Sequence, residues 1–304
     1  MPSQLTHRFA ALRIYERLPE NVRAEISSLP FYDLGAQGPD LFYFLRPYTD
    51  RGRLGRRMHG ENAFEAAAAF AGCARSPREF SYTAGYVTHC ALDSVFHPYV
   101  FGITEKLLER GYSDKLSLHG YIESDLDTYF AEKYAAEPRA PYRPEICGRR
   151  RFAPLLPFLS EALGRLGVSA SERALTAALR RFCLFSRTFT RVTEGRRKFL
   201  YCAESAVRAN HMLSSRCRRA GYDSVCLNEE EEEWRDPADS AFVSHESAER
   251  VFGRAVEEGV RLVDLLFICR AAGVPLPPEE FGRPLIAYPP GGDSAADSAA
   301  FKKE

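Results

Sequence analysis

The chain has 304 residues, of which 45% are hydrophobic and 27% are charged. This composition is typical of a globular protein and excludes a disordered or collagen-like chain. The 41 basic and 41 acidic side chains give a formal net charge of zero, which excludes attraction of the whole protein to nucleic acid or anionic membranes but does not exclude local patches.

The termini and the cysteines narrow the class further. The N-terminal segment has no basic stretch followed by an apolar run, and no window approaches 18 uninterrupted apolar residues. We therefore expect neither a secretory signal nor a transmembrane helix. The eight cysteines form no CxxC pair, so the sequence predicts a cytoplasmic protein with reduced thiols and without a structural zinc ribbon.

Charge is distributed unevenly along the chain. Residues 1–138 carry a net charge of −3, residues 139–222 carry +13, and residues 223–304 carry −10. The simplest interpretation is that the arginine-rich second block pairs with the acidic third block within one fold. The glutamate run at 229–233 is expected to be solvated.

Helical periodicity dominates the sequence, and no alternating run is flanked by Asn-Gly or Asp-Gly turns. Two helices begin after typical N-cap residues, which are Ser169 or Ser171 for the one and Ser244 for the other. The predicted class is all-α. The predicted helices cover residues 9–18, 61–73, 79–100, 103–110, 118–134, 155–166, 171–192, 196–219 and 244–272.

The domain organisation follows from the breaks in this pattern. A linker with three prolines at 138–148 separates a helical region at 1–137 from a second helical region at 149–284, which we expect to pack on the first. Residues 285–304 are rich in Gly, Ser, Ala and Asp and are predicted to be a disordered tail.

The first candidate chemistry lies in the segment GYVTHCALDSVFHPY. His89, Asp93 and His97 are four residues apart, and each step of four turns a helix by about 40°, so all three side chains project to one side. The alternative is a solvated polar face, but the neighbouring residues are mostly apolar. Burying two imidazoles and a carboxylate without a partner is unfavourable, and a cation would supply that partner.

Further candidates precede and follow this segment. His119 and Glu123 repeat the four-residue spacing, which is weak evidence alone and stronger beside the first three residues. His7 and His59 each stand just before a predicted helix, where a neutral, metal-bound imidazole avoids an unfavourable charge. Asp40 follows a Gly- and Pro-containing turn, and could instead cap the helix that starts there.

Five histidines and three carboxylates exceed the needs of one tetrahedral zinc and suit two or three ions. Mixed nitrogen and oxygen ligands, without cysteine, are typical of hydrolytic sites. In their order along the chain these residues resemble the zinc-dependent phospholipase C family, to which single-strand-specific zinc nucleases are more distantly similar. The resemblance spans about residues 5–135 and rests on His7, Asp40 in GPD, His59 in MH, His89 and Asp93 in HCALD, His97 in HPY, and His119 and Glu123 in HGYIE.

This resemblance implies a helical bundle with a multinuclear zinc cluster. By analogy, His59, His89 and Asp93 bind one zinc with Asp40 nearby, and Asp93 bridges to a zinc held by His7. The last zinc is held by His97, His119 and Glu123. Asp40 is both a ligand and the candidate general base. In the secreted enzymes an N-terminal tryptophan completes one site, whereas the only tryptophan here is Trp234, so we expect two or three ions.

The implied activity is hydrolysis of a phosphodiester, with a phospholipid head group as a candidate substrate and no specific nucleic-acid partner. Two alternatives stay open: a zinc nuclease-like phosphodiesterase, and a non-catalytic helical metal-binding protein. The aromatic residues Phe42, Tyr43, Phe44 and Tyr48 could contact a base or a choline-like group, or could pack in the core.

Overall fold

The computed structural model describes residues 4–45, 54–60, 63–112, 115–281 and 285. It shows the predicted all-α class, with short 3-10 segments and one small hairpin. The predicted tail at 285–304 lies outside the described residues, apart from Leu285. The α-helices are α1 (Gln4–Arg17), α2 (Glu20–Glu25), α3 (Leu29–Gly35), α4 (Leu54–His59), α5 (Ala63–Cys73), α6 (Pro77–Glu109), α7 (Lys115–Tyr134), α8 (Arg149–Phe152), α9 (Leu156–Arg165), α10 (Glu172–Phe189), α11 (Glu194–Ala206) and α12 (Ala248–Ala272).

Helix α6 is the centre of the fold. It begins with a capping box, in which Ser76 and Glu79 each accept a hydrogen bond from the other's backbone N–H. Most of its residues are buried, because α1, α3, α7 and α12 pack around it. A helix surrounded on all sides loses the usual amphipathic pattern, which suits a helix that carries functional groups in the interior.

The predicted break between residues 100 and 103 is wrong, because α6 continues to Glu109. Pro98 removes one backbone donor, but the surrounding packing keeps the helix intact. Gly102 serves a close contact rather than a break: a Cβ there would lie 2.7 Å from the carbonyl oxygen of Arg235.

Helix α3 packs on α6 through a pair of glycines. A Cβ on Gly35 would lie 2.1 Å from the carbonyl oxygen of Tyr82, and a Cβ on Gly85 would lie 2.1 Å from that of Tyr32. Only glycine permits two backbones to approach this closely. The contact holds the chain after α3 against the middle of α6, where the histidines lie.

Two elements of the C-terminal region differ from their predictions. Strands β1 (Trp234–Asp236) and β2 (Asp239–Ser244) form an antiparallel hairpin, whose turn lacks the glycine that identifies such turns in a sequence. Ser244 therefore lies in a strand and does not cap a helix. Helix α12 begins at Ala248, whereas Ser171 does cap α10, accepting a hydrogen bond from the N–H of Ala174.

The helix predicted at 196–219 is also too long. Helix α11 ends at Ala206, and the following turn contains Arg208 and His211 at positive φ, which interrupts a helix. The carboxylate of Glu204 accepts hydrogen bonds from the N–H groups of Leu213 and Ser214. The turn is thus folded back onto α11.

The arginine-rich and acidic blocks do not pair as predicted, since no ion pair joins them among the residues that the structure describes. Instead, Glu232 pairs with Lys106 and Arg110 of α6, and Glu249 pairs with Lys133 of α7. Helices α6 and α7 are farther away in sequence, but they lie nearer to the acidic block than the arginine-rich helices do. None of the described helices is long and apolar enough to span a bilayer.

Candidate metal centre

The core of the site is the predicted row of side chains on α6. His89, Asp93 and His97 are buried and lie on one face. Oδ2 of Asp93 lies 3.0 Å from Nε2 of His89 and 3.7 Å from Nδ1 of His97. The predicted helical spacing therefore produces a continuous imidazole–carboxylate–imidazole row in the interior.

Helix α1 adds His7 to this row. Its Nε2 lies 3.2 Å from Oδ1 of Asp93, and its ring stacks on that of His89 with centroids 4.1 Å apart. His7 lies in the first turn of α1 rather than before the helix. The position of that turn is held by Asp127, whose carboxylate accepts hydrogen bonds from the N–H and the hydroxyl of Thr6, both at 2.8 Å.

Asp40 and His59 come from two further elements of the fold. Asp40 lies inside a 3-10 helix (Gly38–Phe44) and does not cap it, while His59 is the last residue of α4. Nε2 of His59 lies 3.3 Å from Oδ1 of Asp40 and 3.6 Å from Oδ2 of Asp93. Asp93 thus lies within ion-pair distance of four histidines.

Helix α7 closes the site with the second predicted pair. Nε2 of His119 lies 3.1 Å from Oε1 of Glu123, which lies 3.8 Å from Nε2 of His97. The side chain of His119 is 22% exposed, whereas the other seven candidate side chains are buried. His119 therefore marks the side on which the site opens.

The eight residues form three groups whose candidate ligand atoms lie within 4.8 Å of one another. The groups are His7, His89 and Asp93; Asp40, His59 and His89; and His97, His119 and Glu123. The third group has the membership expected from the resemblance. In the other two, His89 is shared, and Asp93 groups with His7 rather than with His59.

Two backbone carbonyls determine which nitrogens face the site. Nδ1 of His59 lies 2.7 Å from the carbonyl oxygen of Gly55, and Nδ1 of His89 lies 3.2 Å from that of Ala36. A carbonyl only accepts, so each Nδ1 carries the hydrogen and, in neutral rings, each Nε2 carries a lone pair. These two Nε2 atoms lie 3.3 Å apart. Facing lone pairs repel unless a cation lies between them or a ring is protonated.

Gly38 permits this arrangement of His89. Its φ is +48°, a left-handed conformation that favours glycine, and a Cβ there would lie 2.3 Å from Cγ of His89. Any side chain at this position would displace the imidazole. The Gly-Pro-Asp sequence thus both presents Asp40 and makes room for a neighbouring candidate ligand.

The electrostatics of the cluster favour charged carboxylates at Asp93 and Glu123 and a neutral imidazole at His97. Burial by itself raises the pKa of Asp93, but His89, His97 and His7 together hold that pKa well below its ordinary value. The pKa of Glu123 is likewise lowered, because His119 outweighs burial. Burial lowers the pKa of His97 to about 4 despite the nearby Asp93. Anionic oxygen and neutral nitrogen are the protonation states that bind metal ions.

The donor set fits zinc, which takes imidazole nitrogen and carboxylate oxygen in proteins. Within the described part of the chain, three buried atoms of the candidate ligands have no hydrogen-bond partner: Oδ1 of Asp40, Nδ1 of His7 and Oε2 of Glu123. A cavity of about 10 Å³ lies between His7, Asp93, His97 and Glu123, room for about one water-sized sphere. The residues present therefore fit the group that the ligand chemistry implies.

Arg216 was missed by the sequence interpretation. Its Nε is buried and has no hydrogen-bond partner in the described ranges, and one terminal nitrogen donates to the carbonyl oxygen of Met212. Burial lowers the pKa of its guanidinium, whereas Glu123, Tyr43 and Asp40 raise it, which places its charge in the field of the cluster. Arg216 lies in an arginine-rich segment, SSRCRR, where no local signal distinguishes it.

The aromatic residues that follow Asp40 lie in two different environments. Phe42 stacks on Phe70 and Phe44 packs against Phe182, both in the core. The ring of Tyr43 lies 5.3 Å from that of His59, beside the centre. Tyr48 lies outside the described residues.

Comparisons with known proteins give one match. A family described as "Zinc dependent phospholipase C" matches residues 6–163, a little over half of the chain. The match contains all eight candidate residues and extends beyond the predicted limit near residue 135 to include most of α9. No curated protein and no solved structure matches the chain.

Proposed function

The chain belongs to the zinc-dependent phospholipase C family, and from that premise we propose that it hydrolyses phosphodiesters with two or three bound zinc ions. The observation that carries the proposal is the convergence of the candidate side chains into three groups around Asp93 and Glu123. The proposed ligands are His7, Asp40, His59, His89, Asp93, His97, His119 and Glu123.

Asp93 is the proposed link between zinc sites, because its two oxygens face different histidines. Oδ1 lies toward His7 and Oδ2 toward His89 and His59. The carbonyls of Ala36 and Gly55 hold two of these rings with Nε2 toward the centre. Such outer contacts orient metal-binding imidazoles and increase their basicity.

When bound, zinc ions supply Lewis-acid chemistry: they neutralise charge on phosphate oxygens and make water a stronger nucleophile at neutral pH. Asp40 is the proposed general base, because it is buried in the centre and its pKa is lowered, with His59 and His89 among the groups that oppose the effect of burial. Arg216 adds a positive charge for a phosphate oxygen, as its Nε has no hydrogen-bond partner among the residues that the structure describes.

The substrate class that we propose is a phosphodiester with a phospholipid head group. The family supplies this expectation, and a centre whose carboxylates and imidazoles bind zinc would suit the single negative charge of a phosphodiester. Hydrolysis of single-stranded nucleic acid, or zinc binding without turnover, would correspond to the two alternative functions.

The test compares zinc content and turnover in the full chain. Protein prepared without chelators should hold at least two zinc ions and hydrolyse phosphatidylcholine or a chromogenic phosphodiester, and a chelator should abolish turnover. Asp93→Asn should lose at least about 1,000-fold in kcat/KM and at least one zinc ion. His245→Ala should change neither, because His245 lies outside the centre and bonds the carbonyl of Glu231.

Circular dichroism of both variants separates loss of zinc from loss of fold. Less than one zinc ion per chain in the unsubstituted protein would overturn the proposal. Full zinc occupancy without turnover on lipid, nucleic acid or model diesters would instead support a binding role.

A further inference from the structure

Helix α11 and the turn after it expose an unusual amount of apolar surface. Phe199 is 70% exposed, Val207 75%, Met212 42% and Leu213 41%, and Lys198 is exposed beside them. We call these five residues the α11 surface. Single exposed apolar residues are ordinary, but several on one short segment indicate a contact site.

Specific contacts hold the α11 surface in place. Glu204, the one buried residue of α11, accepts hydrogen bonds from the N–H groups of Leu213 and Ser214 at 2.7 and 2.9 Å. The ring of His211 stacks on that of Tyr201 with centroids 4.1 Å apart. These contacts fix the turn against the helix, so its apolar side chains are held outward at a defined place.

That place adjoins the open side of the metal centre. The chain leaves the turn through Ser215 and Arg216, which lie against Gly120: a Cβ there would be 2.9 Å from Oγ of Ser215 and 3.2 Å from Cγ of Arg216. Gly120 follows His119, the one partly exposed candidate ligand. The α11 surface is therefore connected to the rim of the site by only a few residues.

The segment of the chain that carries this surface is rich in positive charge. Residues 139–222 carry 18 basic and 5 acidic side chains, a net charge of 18 − 5 = +13. Lys198 on α11 and Arg208 in the turn after it are exposed and make no ion pair with any residue in the described part of the chain. Exposed apolar side chains beside unpaired basic side chains favour an anionic lipid surface over a neutral one.

We propose that the α11 surface docks the protein on anionic phospholipid membranes and so brings the opening beside His119 to the lipid head groups. The partner is the membrane surface itself, and the binding requires no zinc. The proposal rests on the proposed function only for the statement that the lipid is also the substrate. A second copy of the chain is the competing occupant, which the test distinguishes.

The test is co-sedimentation of the full chain with vesicles of phosphatidylcholine alone and of phosphatidylcholine with about one third phosphatidylglycerol. We expect stronger binding to the anionic vesicles, reduced at least about tenfold by Phe199→Ser with Val207→Ser. The matched control is Ile268→Ser with Val274→Ser, since both residues are about half exposed on or just after α12 and should leave binding unchanged.

Activity assays separate this proposal from the proposed function. The Phe199→Ser, Val207→Ser variant should hydrolyse a soluble diester at the unsubstituted rate and vesicle phospholipid at least about tenfold more slowly. Vesicle binding without any turnover would contradict the proposed function alone. Absence of vesicle binding, or a concentration-dependent dimer that the same variant abolishes, would overturn membrane docking while leaving hydrolysis of soluble diesters intact.

Discussion

The facing Nε2 atoms of His59 and His89 are the most informative contact at the scale of single residues. Backbone carbonyls assign the hydrogen of each ring to Nδ1, and the two Nε2 atoms then lie 3.3 Å apart beside carboxylate oxygens. Such an arrangement is stable with a cation between the nitrogens. The backbone carbonyls of Gly55 and Ala36 therefore already orient both rings for binding a cation.

Arg216→Ala should weaken turnover of a soluble diester without changing zinc content. Loss of a charge-assisted hydrogen bond costs about 1.5–3 kcal/mol, so kcat/KM should fall by about 10- to 100-fold. Arg216→Lys should restore part of the loss. Arg250→Ala removes an exposed arginine that pairs with Glu231 and should have no effect; an equal loss in that variant would show that charge alone, rather than position, matters.

Asp33 should make stability depend on pH. Burial raises its pKa to about 6, although Arg8 and the Tyr142 hydroxyl oppose the shift. The raised folded-state pKa means that its stabilising contribution is full below about pH 4 and is lost as pH rises through 6. The side chain in Asp33→Asn cannot ionise, so this variant does not lose stability at that position as pH rises. The unfolding free energy of the variant minus that of the unsubstituted protein should therefore be about 1–1.5 kcal/mol larger at pH 8 than at pH 5.

Denaturant unfolding at both pH values measures this difference. The exposed Glu257→Gln serves as the control and should shift both values equally. A gain for Asp33→Asn that is the same at pH 5 and pH 8 would contradict the assignment.

At the scale of elements, the continuity of α6 places the metal centre. The helix runs through Pro98 and Gly102 without interruption, so His89, Asp93 and His97 lie on one rigid body. Candidate ligands on α1, α4 and α7 then lie within ion-pair distance of this row. Rigid helices position ligands more accurately than loops do, which suits a site with so many charged groups.

The contact between α3 and α6 gives a prediction with an internal control. Gly85→Ala places a Cβ 2.1 Å from a backbone carbonyl oxygen and should lower the unfolding free energy by about 2–3 kcal/mol, because backbone must shift. Gly253→Ala lies inside α12 with nothing within 4 Å and should raise it by up to about 1 kcal/mol. Thermal unfolding of both variants checks the opposite signs, and a neutral Gly85→Ala would show that the helices are not in close contact.

At the scale of the whole molecule, one hydrophobic core joins the family segment to the rest of the chain. Residues of α12 share that core with residues of α1 and α6, and Gly259 lies against Ile14 and Ala91. The C-terminal region is thus part of the support for the metal centre, and it also carries Arg216 and the α11 surface. We propose that the first region supplies the chemistry and the second supplies substrate and membrane contacts.

Removal of zinc should destabilise the entire fold. The centre holds three buried carboxylates, those of Asp40, Asp93 and Glu123, and an ion that binds only the folded state stabilises it by about 2.7 kcal/mol at 100 times its Kd. A chelator should therefore lower Tm by at least about 5 °C. Added zinc should restore Tm and magnesium should not, and Asp93→Asn should show a smaller shift than the unsubstituted protein.

The sequence by itself determined the helical class, because helical periodicity is a local property, and the four-residue spacing that α6 and α7 retain predicted His89, Asp93, His97, His119 and Glu123. His7, Asp40 and His59 have no such spacing, and the order of all eight along the chain, which resembles the family, joined them to the set. The sequence could not determine contacts between distant segments. The tautomers of His59 and His89 depend on carbonyls of Gly55 and Ala36, and Arg216 joins the centre through packing on Gly120. The same reason explains the errors at residues 100–103 and 207–219: local patterns suggested where helices end, whereas tertiary contacts at Gly102 and Glu204 decided it.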